Sequence, residues 1–215
     1  MRSFGLLILI IGLVPGSCNQ SNQSITATEN QTEKFSHVEN SNDKDEIQKL
    51  IRQVLKWADS NNSIDLLPVV TDSQDSVYIG FDMVKHSQNL QKLTETDFFT
   101  HGFVENYDQI ILTLDRKMRD KEFEEWAVGY LPTFKFANDH VPWCNCQDNL
   151  DWDLVEVKVN NLTGDQGELV WNWGNLDPAH YSSWKEFEYN FSVVRENQKW
   201  KISYMEGFDL NKSIQ

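Results

Sequence analysis

Basic residues are scarce in this 215-residue chain, 19 Lys and Arg against 33 Asp and Glu, a formal charge of −14. Such a balance repels phosphate backbones and anionic lipid, so nucleic acid is not an expected partner. Cysteine is rarer still, with three in all, too few for a disulfide-built scaffold. Only one run is strongly apolar, Leu6 to Val14, and no stretch of 18 apolar residues comes after it. No later helix is therefore expected to cross a bilayer. Gly-rich phosphate loops, His-Glu-x-x-His and Gly-x-Ser-x-Gly are all missing, which leaves those chemistries without a basis in the sequence.

The apolar run has a context. Arg2 gives a short positive start, Leu6 to Val14 (LLILIIGLV) comes next, and Pro15-Gly16-Ser17 leads into Cys18. A charged start, a short apolar core and small residues at the cut read as a secretory leader spanning 1–17. The cysteine at the cut resembles the lipobox of bacterial lipoproteins, with Pro15 where that pattern usually has leucine. The resemblance implies that Cys18 is acylated and becomes the first residue of the mature chain, held to a membrane by palmitate-type anchors. Losing Arg2 with the leader takes the charge to −15. Membrane contact is then expected through the lipid anchor alone. The expected place is the cell envelope, on the periplasmic side of the outer membrane if the cell has two membranes.

Residues 18–43 are expected to be the lipidated cysteine and a disordered polar tether, because 15 of the 25 residues at 19–43 are Asn, Gln, Ser or Thr. So little apolar area does not offset the entropy of ordering. The folded domain is expected over 44–209, with 210–215 as a tail. Asp43 and Glu46 have capping-box spacing. Ile47, Leu50, Ile51, Val54, Leu55 and Ala58 then make one helical stripe. A strand or two is expected around Val69 to Phe81. A second helical region is expected from Thr94, with Phe103, Tyr107, Ile110, Ile111, Leu114 and Met118 facing inward. The mixed-charge run Arg116 to Glu125 reads as solvated, with Asp115/Arg119 and Lys121/Glu125 at i,i+4.

Beyond residue 154 the period becomes two. Val155, Val157 and Val159 alternate with polar residues, then Leu169, Trp171 and Trp173. Phe187, Tyr189, Phe191 and Val193 continue it, and Trp200, Ile202 and Tyr204 complete the pattern. Four antiparallel strands with one apolar face need the earlier helices as cover. The expected class is α+β, N-terminal helices packed on a curved antiparallel sheet of about four strands. This element order, with the run GELVWNWG…WKEFEYNFSVVRENQKWKISYMEGFD, resembles the nuclear transport factor 2-like (cystatin-like) fold over about 44–209. Lys199-Trp200-Lys201-Ile202 resembles the final strand of its bacterial lipoprotein branches. Phe136 to Asp148 resembles the segment before the sheet in an uncharacterised family of such lipoproteins. The resemblance implies a cone whose mouth takes an apolar ligand, and it implies no reaction.

Several residues bear on chemistry. Cys144 and Cys146, with His140, Asp148, Asp151 and Asp153 nearby, leave open a disulfide, a metal site or free thiols. One intervening residue is short for a zinc chelate, and no cofactor is assigned. Trp171, Trp173, Tyr189 and Tyr204 fall on the inward phase as candidate pocket residues, Trp173 and Tyr189 first. Trp152, Leu154, Trp184, Glu186, Glu188 and Asn190 fall on the outward phase, where an exposed Trp beside carboxylates would suit a basic partner. His37, His86, His101, His140 and His180 read as loop or element-end residues. No His/Asp pair shares a strand face, and only Asp153 stands at the start of the inward phase, so acid–base catalysis has weak support. A non-catalytic binding module for a small apolar ligand or an envelope protein is the leading expectation. An isomerase-, dehydratase- or hydrolase-like enzyme using the cone, or a tethered toxin inhibitor, is the alternative. A homodimer through the open sheet face also fits.

Overall fold

The computed structural model describes residues 41–174, 176–177 and 184–215. The leader, Cys18, most of the expected tether, His37 and His180 lie outside the described residues. Among those described the architecture is α+β, with four α-helices, a two-stranded sheet and a four-stranded antiparallel sheet. No described helix is long and apolar enough to cross a membrane.

Helix α1 (Ser41–Ala58) takes in residues 41–43, which the sequence assigns to the tether. Asp43 sits inside the helix and pairs with Arg195 instead of capping. The stripe from Ile47 to Leu55 is buried as its 3.6-residue period requires. Strands β1 (Val69–Thr71) and β2 (Tyr78–Phe81) pair antiparallel, Val69 opposite Phe81. A bridge between Val77 and Ala127 adds a third short partner.

Helix α2 (Met83–Glu95) covers a stretch with no expected helix, and Thr94, read as a helix start, lies near its end. Asp82 is the true cap, accepting from the Val84 and Lys85 amides. The inward residues of α2 are His86, Asn89 and Leu93, so polar groups occupy core positions and the hydrophobic period is hidden. Helix α3 (His101–Arg119) starts at Thr100, whose hydroxyl accepts from the Phe103 amide. Phe103, Tyr107, Ile110, Ile111 and Leu114 are all buried.

The main sheet runs β3 (Val155–Thr163), β4 (Gln166–Trp173), β5 (Tyr189–Glu196) and β6 (Lys199–Met205), each paired antiparallel with the next. The turn at Asn197-Gln198 has both residues at positive φ, as a tight two-residue hairpin requires. Asn160 in β3 and Ser203 in β6 are bulge residues, unopposed where the register shifts. A bulge bends its strand and re-aims the side chains beyond it. Past Ser203 the alternation therefore flips. Met205 takes the inward position opposite Phe191 and is fully buried, while Tyr204 stands opposite Ser192 and is only partly buried. The inward assignment of Tyr204 is thus corrected.

Trp152 is a second correction. It is buried because Trp152–Leu154 is a 3₁₀ turn capped by Asp151, and the period-two phase begins only at Val155. Asp153, in the same turn, is exposed and bonds Lys56 at 2.6 Å, away from the sheet interior. Residues 210–215 are no loose tail. Helix α4 (Leu210–Ser213) docks the C-terminus, where the Phe136 and Lys135 amides donate to the Ser213 and Gln215 carbonyls.

Candidate functional site

The face that carries the candidate pocket residues is packed with rings. Trp171 is fully buried and Trp173 nearly so. Trp171 lies 4.9 Å from Phe187, 5.6 Å from Tyr189 and 5.3 Å from Trp173, measured between ring centroids. Trp152 stacks on Trp173 at 5.3 Å, and Trp184 meets Trp173 edge-on. Tyr189 is fully buried; its hydroxyl donates to the Pro142 carbonyl at 2.7 Å and accepts from the Gly207 amide at 3.1 Å. Burial pushes its phenol well above the ordinary range. These side chains serve as core, and Tyr189 ties the loop before β3 to the end of β6. The indole N–H groups of Trp171, Trp173 and Trp200 have no acceptor among the described residues.

A cavity of about 500 Å³ opens instead between β2, the end of α3 and the segment 121–133. Tyr78 and Trp126 face each other at 4.3 Å. Their placement is local: the Tyr78 amide donates to the Trp126 carbonyl, and the Trp126 indole donates to the Tyr130 carbonyl at 2.8 Å. Phe134, buried beneath, holds Trp126 at 5.4 Å and Phe123 at 5.6 Å. Val77, Ile79, Met118, Phe123 and Thr133 add to the lining, with Arg119, Lys121, Glu124 and Glu125 around it. Asp115 accepts from the Phe81 amide and from Arg119, both at 2.8 Å, which ties β2 to α3. A Cβ at Gly80 would stand 2.7 Å from that carboxylate, so the approach requires glycine.

This cavity was not found from the sequence. Arg116 to Glu125 reads as solvated, and Phe123 and Trp126 in its charged surroundings were the available signal. Of the two expected ion pairs, Asp115 and Arg119 meet at 2.8 Å. Lys121 and Glu125 form none, because α3 ends at Arg119 and Lys121 turns to positive φ. Ile79, Val128, Tyr130 and Leu131 stay exposed in the same part of the chain.

Cys144 and Cys146 are joined by a disulfide, their Cα atoms 5.1 Å apart. The bond closes a tight turn in which the Asn145 amide donates to the Val141 carbonyl and Asn145 has positive φ. Among the described residues no three His, Cys, Asp or Glu side chains gather as a metal site. Glu188 lies near Lys158, and Asn190 donates to Glu206. Trp184 is half-buried rather than free beside these carboxylates.

Among the described residues one His/Asp pair forms, on helices. His86 Nε2 is 2.7 Å from Asp108 Oδ1, joining α2 to α3, with the His86 side chain only 4% exposed. An ionised carboxylate only accepts, so Nε2 carries the proton and Nδ1 is left without a partner among the described residues. Tyr107 packs edge-on to the imidazole at 5.4 Å and donates to the Leu66 carbonyl. Neither His86 nor Asp108 lines the cavity beside Trp126. Comparison with protein-family models, curated proteins and solved structures finds no match, and the geometry carries the functional reading.

Proposed function

We propose that this chain is a cell-envelope lipoprotein, acylated at Cys18, whose domain is a non-catalytic binding module for a small apolar ligand. The domain is read as a nuclear transport factor 2-like cone whose interior has been filled by aromatic side chains. Helices ahead of a four-stranded antiparallel sheet, bent by bulges at Asn160 and Ser203, support that reading.

The observation that carries the binding function is the cavity beside Trp126. Its volume of about 500 Å³ lies in the range of small-molecule sites, and its lining joins Val77, Tyr78, Ile79, Met118, Phe123 and Trp126 to a polar part of Arg119, Lys121, Glu124, Glu125 and Thr133. Tyr78, Met118, Phe123 and Trp126 would enclose an apolar body, while Lys121 and the glutamates at the rim would meet a polar end. The chemistry of the lining does not suggest catalysis. The buried His86–Asp108 pair, facing Tyr107 rather than an opening, is read as a brace between helices.

The test uses the full mature chain and the environment-sensitive probe 1-N-phenylnaphthylamine. Saturable binding is expected, weakened at least about tenfold by Ile79→Arg or by Thr133→Trp, both at exposed lining positions. Unsaturable binding, or equal binding in all three proteins, would count against the cavity.

A further inference from the structure

A second cleft of about 500 Å³ borders the aromatic cluster, lined by His140, Asn145, Cys146, Gln147, Asp148, Trp184 and Phe187. From its composition and geometry we propose that it is a binding site for a neutral saccharide, distinct from the apolar cavity and not dependent on it.

Two kinds of surface meet there. Trp184 and Phe187 are half-buried, packed on Trp173 at 5.7 Å and on Trp171 at 4.9 Å, and each also contributes to the cleft wall. Anchored rings of this kind lose little entropy when something stacks on them. The rest of the lining is largely polar. The side chains of Gln147 and Asp148 make no hydrogen bond or ion pair among the described residues, and His140 uses only Nδ1, at 3.4 Å from the Asn138 carbonyl. Asn145 donates to Glu206 Oε1, which fixes its amide and leaves its carbonyl oxygen for another donor.

A sugar ring presents just these two requirements. One face is a sheet of C–H bonds that stacks on an aromatic plane, and its rim is hydroxyls that each donate and accept. Asn, Gln and neutral His offer both donor and acceptor groups, and Asp adds a strong acceptor. Charge narrows the choice further. Among the described residues no Lys or Arg lines the cleft, so a phosphate or carboxylate would enter without a lysine or arginine counter-charge. The single carboxylate of Asp148 sets it apart from a multi-acid cation site.

The disulfide gives the polar wall its rigidity. It pins Cys146 to Cys144, which is buried, while Val141 and Cys146 pair as a short bridge. Asn145 and Cys146 are thereby held in the cleft lining before any ligand arrives, which lowers the cost of binding.

Isothermal titration of the mature protein with a panel of neutral di- to tetrasaccharides, including maltotriose, cellotriose and chitotriose, tests the proposal. At least one saccharide is expected to bind saturably with a Kd below about 1 mM. Trp184→Ala and Gln147→Ala are expected to weaken it at least about tenfold. Trp184→Phe, which keeps a stacking plane, should bind nearly as well as the parent protein. Ile79→Arg, at the apolar cavity, should leave saccharide binding unchanged and separates this site from the other. No saturation by any saccharide, binding that survives Trp184→Ala, or saturation of the cleft by choline instead would overturn it.

Discussion

His86 on α2 and Asp108 on α3 meet at 2.7 Å, with the imidazole sealed from solvent and the carboxylate about one-third exposed. They join two helices across an inward face of α2 made of His86, Asn89 and Leu93. Asp108→Ala leaves the imidazole N–H buried without an acceptor. A hydrogen bond to a charged group contributes about 1.5–3 kcal/mol. Chemical denaturation of Asp108→Ala should lower the unfolding free energy by that amount with little change in denaturant sensitivity. Binding at the apolar cavity should be unaffected.

Tyr189 and Gly207 form a second fastening. The Tyr189 hydroxyl bridges the Pro142 carbonyl and the Gly207 amide, and a Cβ at Gly207 would overlap the Pro142 carbonyl oxygen. Tyr189→Phe strands both backbone groups and should cost about 1–3 kcal/mol. Gly207→Ala should destabilise the protein as well, because the overlap is with main chain that has no rotamer to change. Thermal unfolding of the two variants checks both.

Asp97 sits between Lys199 at 2.8 Å and Lys201 at 2.7 Å. Hydrogen bonds from Lys199 and then Lys201 hold its carboxyl at about 2, below the ordinary 3.8. A depressed folded-state value gives stability that is complete above 3.8 and is lost as the pH falls through about 2. The side chain is half exposed, so solvent screening keeps the contribution under about 1 kcal/mol. Carbon-detected NMR titration should place the Asp97 midpoint near the stated value. In Asp97→Asn the loss of stability between pH 4 and pH 2 should shrink by less than about 1 kcal/mol, and added salt should reduce the difference.

Removing the Cys144–Cys146 disulfide should have a modest effect on global stability. The loop holds a single residue between its cysteines, so the chain-entropy contribution is about 1–2 kcal/mol. Cys144→Ala/Cys146→Ala should therefore fold. Hydrogen exchange should speed up at residues 141–148 and stay unchanged across β4 and β5.

The amphipathic parts of the fold were legible from the sequence. The stripe from Ile47 to Leu55, the inward face of α3 and the alternation through β3, β4 and β5 all arise from burial with a fixed period. Helix α2 was hidden because a buried histidine and asparagine take positions that apolar residues usually fill. Tyr204 was misplaced because a single bulge at Ser203 reverses the alternation, and one sequence offers no sign of an unopposed residue. Trp152 was misplaced because its 3₁₀ turn precedes the strand phase. The cavity depends on Tyr78 meeting Trp126 across 48 residues of chain, and no local pattern encodes that meeting. Whether the inward rings line a pocket or close a core was not decided by the sequence either, since both have the same phase.

The lipoprotein proposal has its own check. Intact-mass spectrometry of the membrane fraction should find Cys18 as the first residue with a diacylglyceryl-sized addition. Cys18→Ser should leave the leader attached and release nothing processed at that position.

The most direct test of the binding module is a co-crystal structure or NMR titration of the mature protein with 1-N-phenylnaphthylamine. The account predicts shifts or density confined to Tyr78, Ile79, Met118, Phe123 and Trp126, abolished by Thr133→Trp. Probe found among Trp171, Trp173 and Tyr189, with the residues around Trp126 unperturbed, would contradict it.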